Sequence, residues 1–240
     1  MTTIARFTIA IILALLTSSC MFDLNLGSGV RGNGQVVEES REVTENFTEV
    51  LASEGLDVYV TQGSASSIRV EADENVIDLI GTDIQDGKLK VHAIENIGRA
   101  TKKIYVTLPE ITSLEASSGS DLVGQGLIKA DKIRLSASSG ADLKLELMAD
   151  QVEADCSSGA DMQLGGSANL LYADASSGAD LNAGELEAKV CRTNASSGAD
   201  VKVHVLEELT ADASSGGDVH YRGEARVETR KSASGSVTKY

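Results

Sequence analysis

Tryptophan is absent from the chain, three phenylalanines and five tyrosines are its only aromatic residues, and there is a single proline. A core built round large rings is therefore excluded, and small and aliphatic side chains must do the packing. Basic residues are the next shortage: 21 Lys and Arg stand against 36 Asp and Glu, a formal charge of −15. Unscreened repulsion then disfavours nucleic acid and anionic lipid as partners, while cations and basic partners are better tolerated. Long apolar runs are missing as well. The one at the N-terminus, Phe7 to Leu16, is too short to span a bilayer.

That run belongs to the segment "MTTIARFTIAIILALLTSSC", with one Arg, an apolar stretch and small residues ending at Cys20. It reads as a secretory signal over residues 1–19. Cys20, directly after Thr17-Ser18-Ser19, is similar to the acylated first residue of a bacterial lipoprotein, although Thr17 stands where that motif has Leu, and Leu16 falls one place early. Cleavage by the ordinary signal peptidase is the alternative. Both readings export the protein. Residues 20–34, with four glycines between 27 and 34, read as a lipidated N-terminus and flexible tether, and residues 35–240 as a single domain. With Cys20 acylated, Cys156 and Cys191 remain, and neither position favours a disulfide.

From Val36 the pattern is strand-like. Leu56, Val58 and Val60 alternate with polar neighbours, as do Ile104, Val106 and Leu108, whereas "NVIDLI" at 75–80 supports one or two helical turns at most. The second half is a repeat, with coils over 111–238. Six close copies of "ASSGAD" and a degenerate seventh, "SASGSVT", place their glycines at 119, 140, 159, 178, 198, 216 and 235, spacings of 18 to 21 residues. A period near 19–20 suits one coil of a parallel β-solenoid, each coil stacking about 4.8 Å above the last. The fold class is therefore all-β, a parallel β-helix of about ten coils and roughly 45 to 50 Å in length.

Parity divides each coil between two faces. Ile133, Leu135, Ala137, Ala141, Leu143, Leu145 and Leu147 share one parity and must face the core. The same parity sends Cys156 into a column with Ala116, Ala137, Ala175, Ala195 and Ala213, and sends Ser118, Ser139, Ser158, Ser177, Ser197 and Ser215 inward as a buried hydroxyl ladder. Outward goes a column of Asp121, Asp142, Asp161, Asp180, Asp200 and Asp218. Adjacent carboxylates about 4.8 Å apart repel by just under ~1 kcal/mol even at the dielectric of water. They are either solvated or bridged by divalent cations, so the column is the one candidate cation site. One carboxylate per coil, however, is far short of a calcium ligand set.

Catalysis has little to draw on. A nucleophilic serine needs a base, yet His92, His204 and His220 occupy no repeated position, and no G-x-S-x-G elbow occurs. A carbohydrate-cleaving solenoid would need clustered carboxylates beside aromatic platforms, and the solitary Tyr172, His204, His220 and Tyr221 do not converge by any spacing. No cofactor is called for.

Three stretches, "FTEVLASEGLDVYVTQG" at 47–63, "IRVEADENVIDLIGTDIQDGKLKVHA" at 68–93 and "IYVTLPEITSLEASSGSDL" at 104–122, together resemble the head GIN domain family of auto-transporter adhesins. The pattern of Phe47, Asp57, Gln62, Asp86-Gly87, Pro109 and the serine-glycine coils carries the likeness. The resemblance implies a right-handed parallel β-helix, export or lipid anchoring as in Bacteroidota proteins, and no catalytic residues. The expectation is an outer-membrane lipoprotein acting as an adhesin or as a surface or periplasmic binding or structural module. Its partner would be an envelope ligand, protein or glycan; the membrane would be met through the lipid only, and a homo-oligomer is compatible with the reading. A calcium-binding solenoid and a carbohydrate-active enzyme are the alternatives.

Overall fold

The computed structural model describes residues 29–231 and 234–240. The strands are β1 (Val36–Arg41), β2 (Glu49–Ala52), β3 (Asp57–Gln62), β4 (Ser67–Asp73), β5 (Ile80–Gln85), β6 (Lys88–Ala93), β7 (Lys102–Leu108) and β8 (Ser113–Ala116). The repeat adds β9 (Asp121–Ala137), β10 (Asp142–Ser157), β11 (Asp161–Ser176), β12 (Asp180–Ala195), β13 (Asp200–Ala213), β14 (Asp218–Arg222), β15 (Arg226–Lys231) and β16 (Ser236–Lys239). "NVIDLI" supplies one 3₁₀ turn, Ile77–Leu79.

All sixteen strands belong to one sheet, folded into two walls. The first wall runs β1-β4-β7-β3, then through the first halves of β9 to β13, and ends with β14 and β16. The second runs β5-β6-β2-β8, then through the second halves of β9 to β13, and ends with β15. Each long strand bends from one wall to the other; the pairing slips between some neighbours, as between Lys144 and Glu146 or between Gln163 and Gly165, while β10 and β11 stay in register throughout. The next coil begins after a tight turn at the opposite edge.

This is the expected parallel β-solenoid, but the regular stack has about six turns rather than ten. The difference lies in the N-terminal third, where β1 pairs antiparallel with β4, β4 with β7, and β5 with β6. β6 and β7 still pair parallel with β2 and β3, and the antiparallel strands β1, β4 and β5 complete the base of the stack.

Alternation puts one continuous apolar set between the walls. Leu122, Leu143, Met162, Leu181, Val201 and Val219 form one buried column, and Ala116, Ala137, Cys156, Ala175, Ala195 and Ala213 another. Small residues near the turns and larger aliphatics along the walls fill the narrow interior, and among the described residues Phe47 is the one aromatic side chain buried in it. Among the described residues Cys156 and Cys191 are free, and both are buried as parity required. Burial pushes the Cys156 thiol up to about 12, helped by nearby aspartates, and pushes Cys191 higher still.

The expected tether is corrected where it can be followed. Val30 bonds to Asn96 and Gly98 through the main chain, at 2.9 and 3.0 Å. The buried carboxylate of Asp73 accepts the N–H groups of Gly34 and Thr101 at 2.5 and 2.6 Å. Residues 29–34 are thus part of the domain, tied down by donors that would otherwise be unpaired. The expected signal peptide, Cys20 and the rest of the expected tether lie outside the described residues.

Candidate binding surfaces

The turn edge is made by the repeated motif itself. In each copy the second serine and the glycine both take left-handed φ, +52° to +57° for Ser118, Ser139, Ser158, Ser177, Ser197 and Ser215, and +67° to +77° for the glycines that follow. Two successive positive φ values define a type I′ turn, closed here by bonds such as Ala160 N–H to the Ser157 carbonyl at 3.2 Å. Nothing lies within 4 Å of where a Cβ would stand on Gly159 or Gly178, so glycine is required there by conformation and not by crowding.

This geometry overturns the inward serine ladder. The six serines sit at the tip of the turn and are exposed. Strand parity does not extend through two left-handed residues, so the side chain that counting sends inward is carried out. The core position falls to the residue after the glycine: Ser120, Ala141, Ala160, Ala179, Ala199 and Gly217 are buried. A ladder does exist, built of main chain. The N–H groups of Gly119, Gly140, Gly159, Gly178 and Gly198 donate to the serine carbonyls of the next coil at 3.1 to 3.2 Å.

The aspartate column stands as a register of neighbours on the outer face of the first wall: Asp121, Asp142, Asp161, Asp180, Asp200 and Asp218 pair in order. It also contains a member that counting missed. Asp57 pairs with Asp121, and Gly55 donates to the Ser118 carbonyl, so "ASEGLD" at 52–57 is the first copy of the motif. Its A-S-x-G-x-D shape was visible; what hid it is the 64-residue interval from Gly55 to Gly119, filled by the strands of the base. Lys103 lies beside Asp57 in register at one end, and at the other the Ser236 hydroxyl donates to Asp218 at 2.5 Å. Burial, then the charge of Asp121, raises the carboxyl of Asp142 above its ordinary range; burial, then Asp142 and Asp180, does the same to Asp161. Among the described residues no three His, Cys, Asp or Glu side chains close on a point a metal ion could occupy.

Other singled-out residues remain apart. Tyr172 lies under the Arg192 guanidinium, whose carbon is 5.8 Å from the ring centre, whereas His220 Nδ1 is 2.8 Å from the Thr238 hydroxyl, and His204 pairs in register with Arg222. Sequence reasoning also missed a stack on the first wall: Tyr59 and Tyr105 lie 5.2 Å apart, with Arg69 over Tyr105 at 4.1 Å. Their matching places in "DVYVTQ" and "KIYVTL" were the available signal. With faces turned to one another, these planes stiffen the base and offer no open platform.

A further feature that no repeat count revealed is at the bend edge. An open groove of about 720 Å³ runs along the stack there, from Glu110 to Leu206. Its floor is Ala130, Ala149 and Ala168, which follow one another in register. One rim carries Lys129, Met148, Ser167 and Glu187; the other carries Asp131, Asp150, Asn169 and Lys189, with Asn169 donating to Asp150 at 2.7 Å. Met148 is 51% exposed and Leu206 44%, with Leu127 at 46% on the same edge. Exposed aliphatics aligned with a concavity mark a partner surface more often than scattered ones do.

A two-walled solenoid with polar ladders and a long groove defines a class: a repeat protein that presents surfaces. The chain belongs to the family described as "Putative auto-transporter adhesin, head GIN domain", which it matches over residues 46–225. Among solved structures it is similar to a protein from Bacteroides fragilis titled a putative adhesin, at TM-score 0.81 and 16% identity, covering 88% of this chain and 100% of that one. It is also similar to a Parabacteroides distasonis protein titled a putative lipid binding protein, at TM-score 0.72 and 18% identity, covering 88% and 99%. A third likeness is to a putative adhesin from Parabacteroides merdae, at TM-score 0.66 and 17% identity, covering 88% and 99%. At these identities the likeness is one of fold. No curated protein matches the chain.

Proposed function

We propose that the protein is an exported, non-catalytic adhesin-type rod, held at the outer membrane by an acylated Cys20, that engages an envelope or surface ligand along the bend-edge groove. The groove carries this reading. It joins an apolar floor of small residues to polar rims and exposed Met148 and Leu206, and a rigid scaffold loses little entropy on binding. Family membership supports the adhesin class. The groove lining sets Lys129 and Lys189 against four acids, Glu110, Asp131, Asp150 and Glu187, which favours neutral or weakly basic ligands.

The test is binding of fluorescently labelled protein to native envelopes, comparing the parent chain with Met148→Glu and Leu206→Glu. Loss of binding in both variants, with melting temperature retained, is the expected result. Undiminished binding removes the groove, and no binding by the parent removes the adhesin reading. Growth with radioactive fatty acid tests the anchor: export without label at Cys20 refutes it.

A further inference from the structure

On the outer face of the second wall, Lys88, Glu49, Ser113 and Arg134 follow one another in register across β6, β2, β8 and β9. Together with Glu115 and Lys132 they line a pocket of about 340 Å³. Ser113 is only 6% exposed, and among the described residues its hydroxyl has no hydrogen-bond partner. A buried hydroxyl left unpaired has lost its water without replacement, a standing cost to the fold. A hydrogen-bonding group in this pocket would relieve that penalty.

The charges around it are already matched. Lys88 Nζ lies 2.7 Å from Glu115 and 3.3 Å from Glu49. Lys132 and Arg134 both hold Glu153, at 2.6 and 3.1 Å. The bond from Glu115 raises the Lys88 ammonium above its ordinary range, while Lys132 and Arg134 lower the Glu153 carboxyl. A charged ligand would have to break one of these pairs. A neutral one rich in hydroxyls would leave the pairs intact, accepting from the cations, donating to Glu49 and Glu115, and, after a small shift of the long side chains over it, meeting Ser113 with either role of a hydroxyl.

We infer that this pocket is a binding subsite for a neutral sugar ring, separate from the bend-edge groove. The volume lies at the lower end of the range of small-molecule sites, and the contacts fit an affinity of about 1 mM.

The experiment titrates the exported chain with glucose, galactose, mannose and N-acetylglucosamine, read by saturation-transfer NMR and calorimetry. Saturable binding of at least one sugar is expected, weakened tenfold or more by Ser113→Ala and unchanged by Met148→Glu, which keeps the outcome distinct from that of the groove. Ser113→Ala should hold or raise the melting temperature, since it deletes an unpaired hydroxyl. Absence of saturable binding by all four sugars, parent-like affinity in Ser113→Ala, or displacement of the sugar by sulfate or acetate would each overturn the inference.

Discussion

Replacing Asp161 by Asn tests the aspartate row directly. Asp161 is exposed and stands in register between Asp142 and Asp180. At a strand spacing of about 4.8 Å, each neighbour contributes about 0.9 kcal/mol of repulsion at the dielectric of water. Two neighbours give about 1.7 kcal/mol at low salt, reduced to about 1 kcal/mol at physiological ionic strength, where the screening length is about 8 Å. Asp161→Asn should therefore stabilise the fold by about 1 kcal/mol at neutral pH, a rise of about 2–4 °C in melting temperature for a chain of this size.

The pH dependence follows with a definite sign. Asp142 and Asp161 have folded-state carboxyls raised above the ordinary 3.8, so the folded state takes up these protons more readily than the unfolded one. Their ionisation penalises the fold above the raised values, and the penalty disappears as pH falls through them towards 3.8. The advantage of the Asp161→Asn variant should fade over the same window, and in molar salt at neutral pH. Calorimetric melting at two salt concentrations and across this pH range measures both trends. A variant less stable than the parent at neutral pH and low salt would refute the repulsion argument, because the carboxylate would then be making a bond that the amide cannot. Calcium discriminates further: a melting temperature raised by calcium in the parent and not in Asp161→Asn would establish bridging cations, and a flat response ends that reading.

Gly159→Ala should cost about 1 kcal/mol through its φ of +68° alone, since no atom lies within 4 Å of the new methyl group. Chemical denaturation measures it, and a change near zero would mean the turn relaxes. Cys156 and Cys191 should resist thiol reagents until the chain unfolds, because both are free, buried and shifted towards the unreactive thiol; rapid labelling of the folded protein would show that the stack opens locally.

Much of this was legible in order along the chain. A period near 19–20 residues fixed the stacking of coils, since only neighbouring coils can bury each other's apolar faces. Parity placed Leu143, Met162 and Leu181 inside, and Asp142, Asp161 and Asp180 outside, because strand side chains alternate with a period of two. The cysteines followed the same rule. Where it failed, at Ser139 and its equivalents, two left-handed residues interrupt the strand, and the count remains right for Ala141 while being wrong for the serine before it.

The sequence by itself determined a repeated, aromatic-poor, acidic all-β stack with small residues near its turns. Tertiary structure decided the rest, because it depends on which residues of different coils become neighbours. Asp57 joins the aspartate row only after the strands between Gly55 and Gly119 fold away into the base. The groove arises where successive strands bend at the same level and leave Ala130, Ala149 and Ala168 as its floor. Ser113 loses solvent only because Lys88, Glu49 and Arg134 arrive beside it from three other strands. Local periodicity specifies the face a side chain takes; contacts across the stack specify what that face meets.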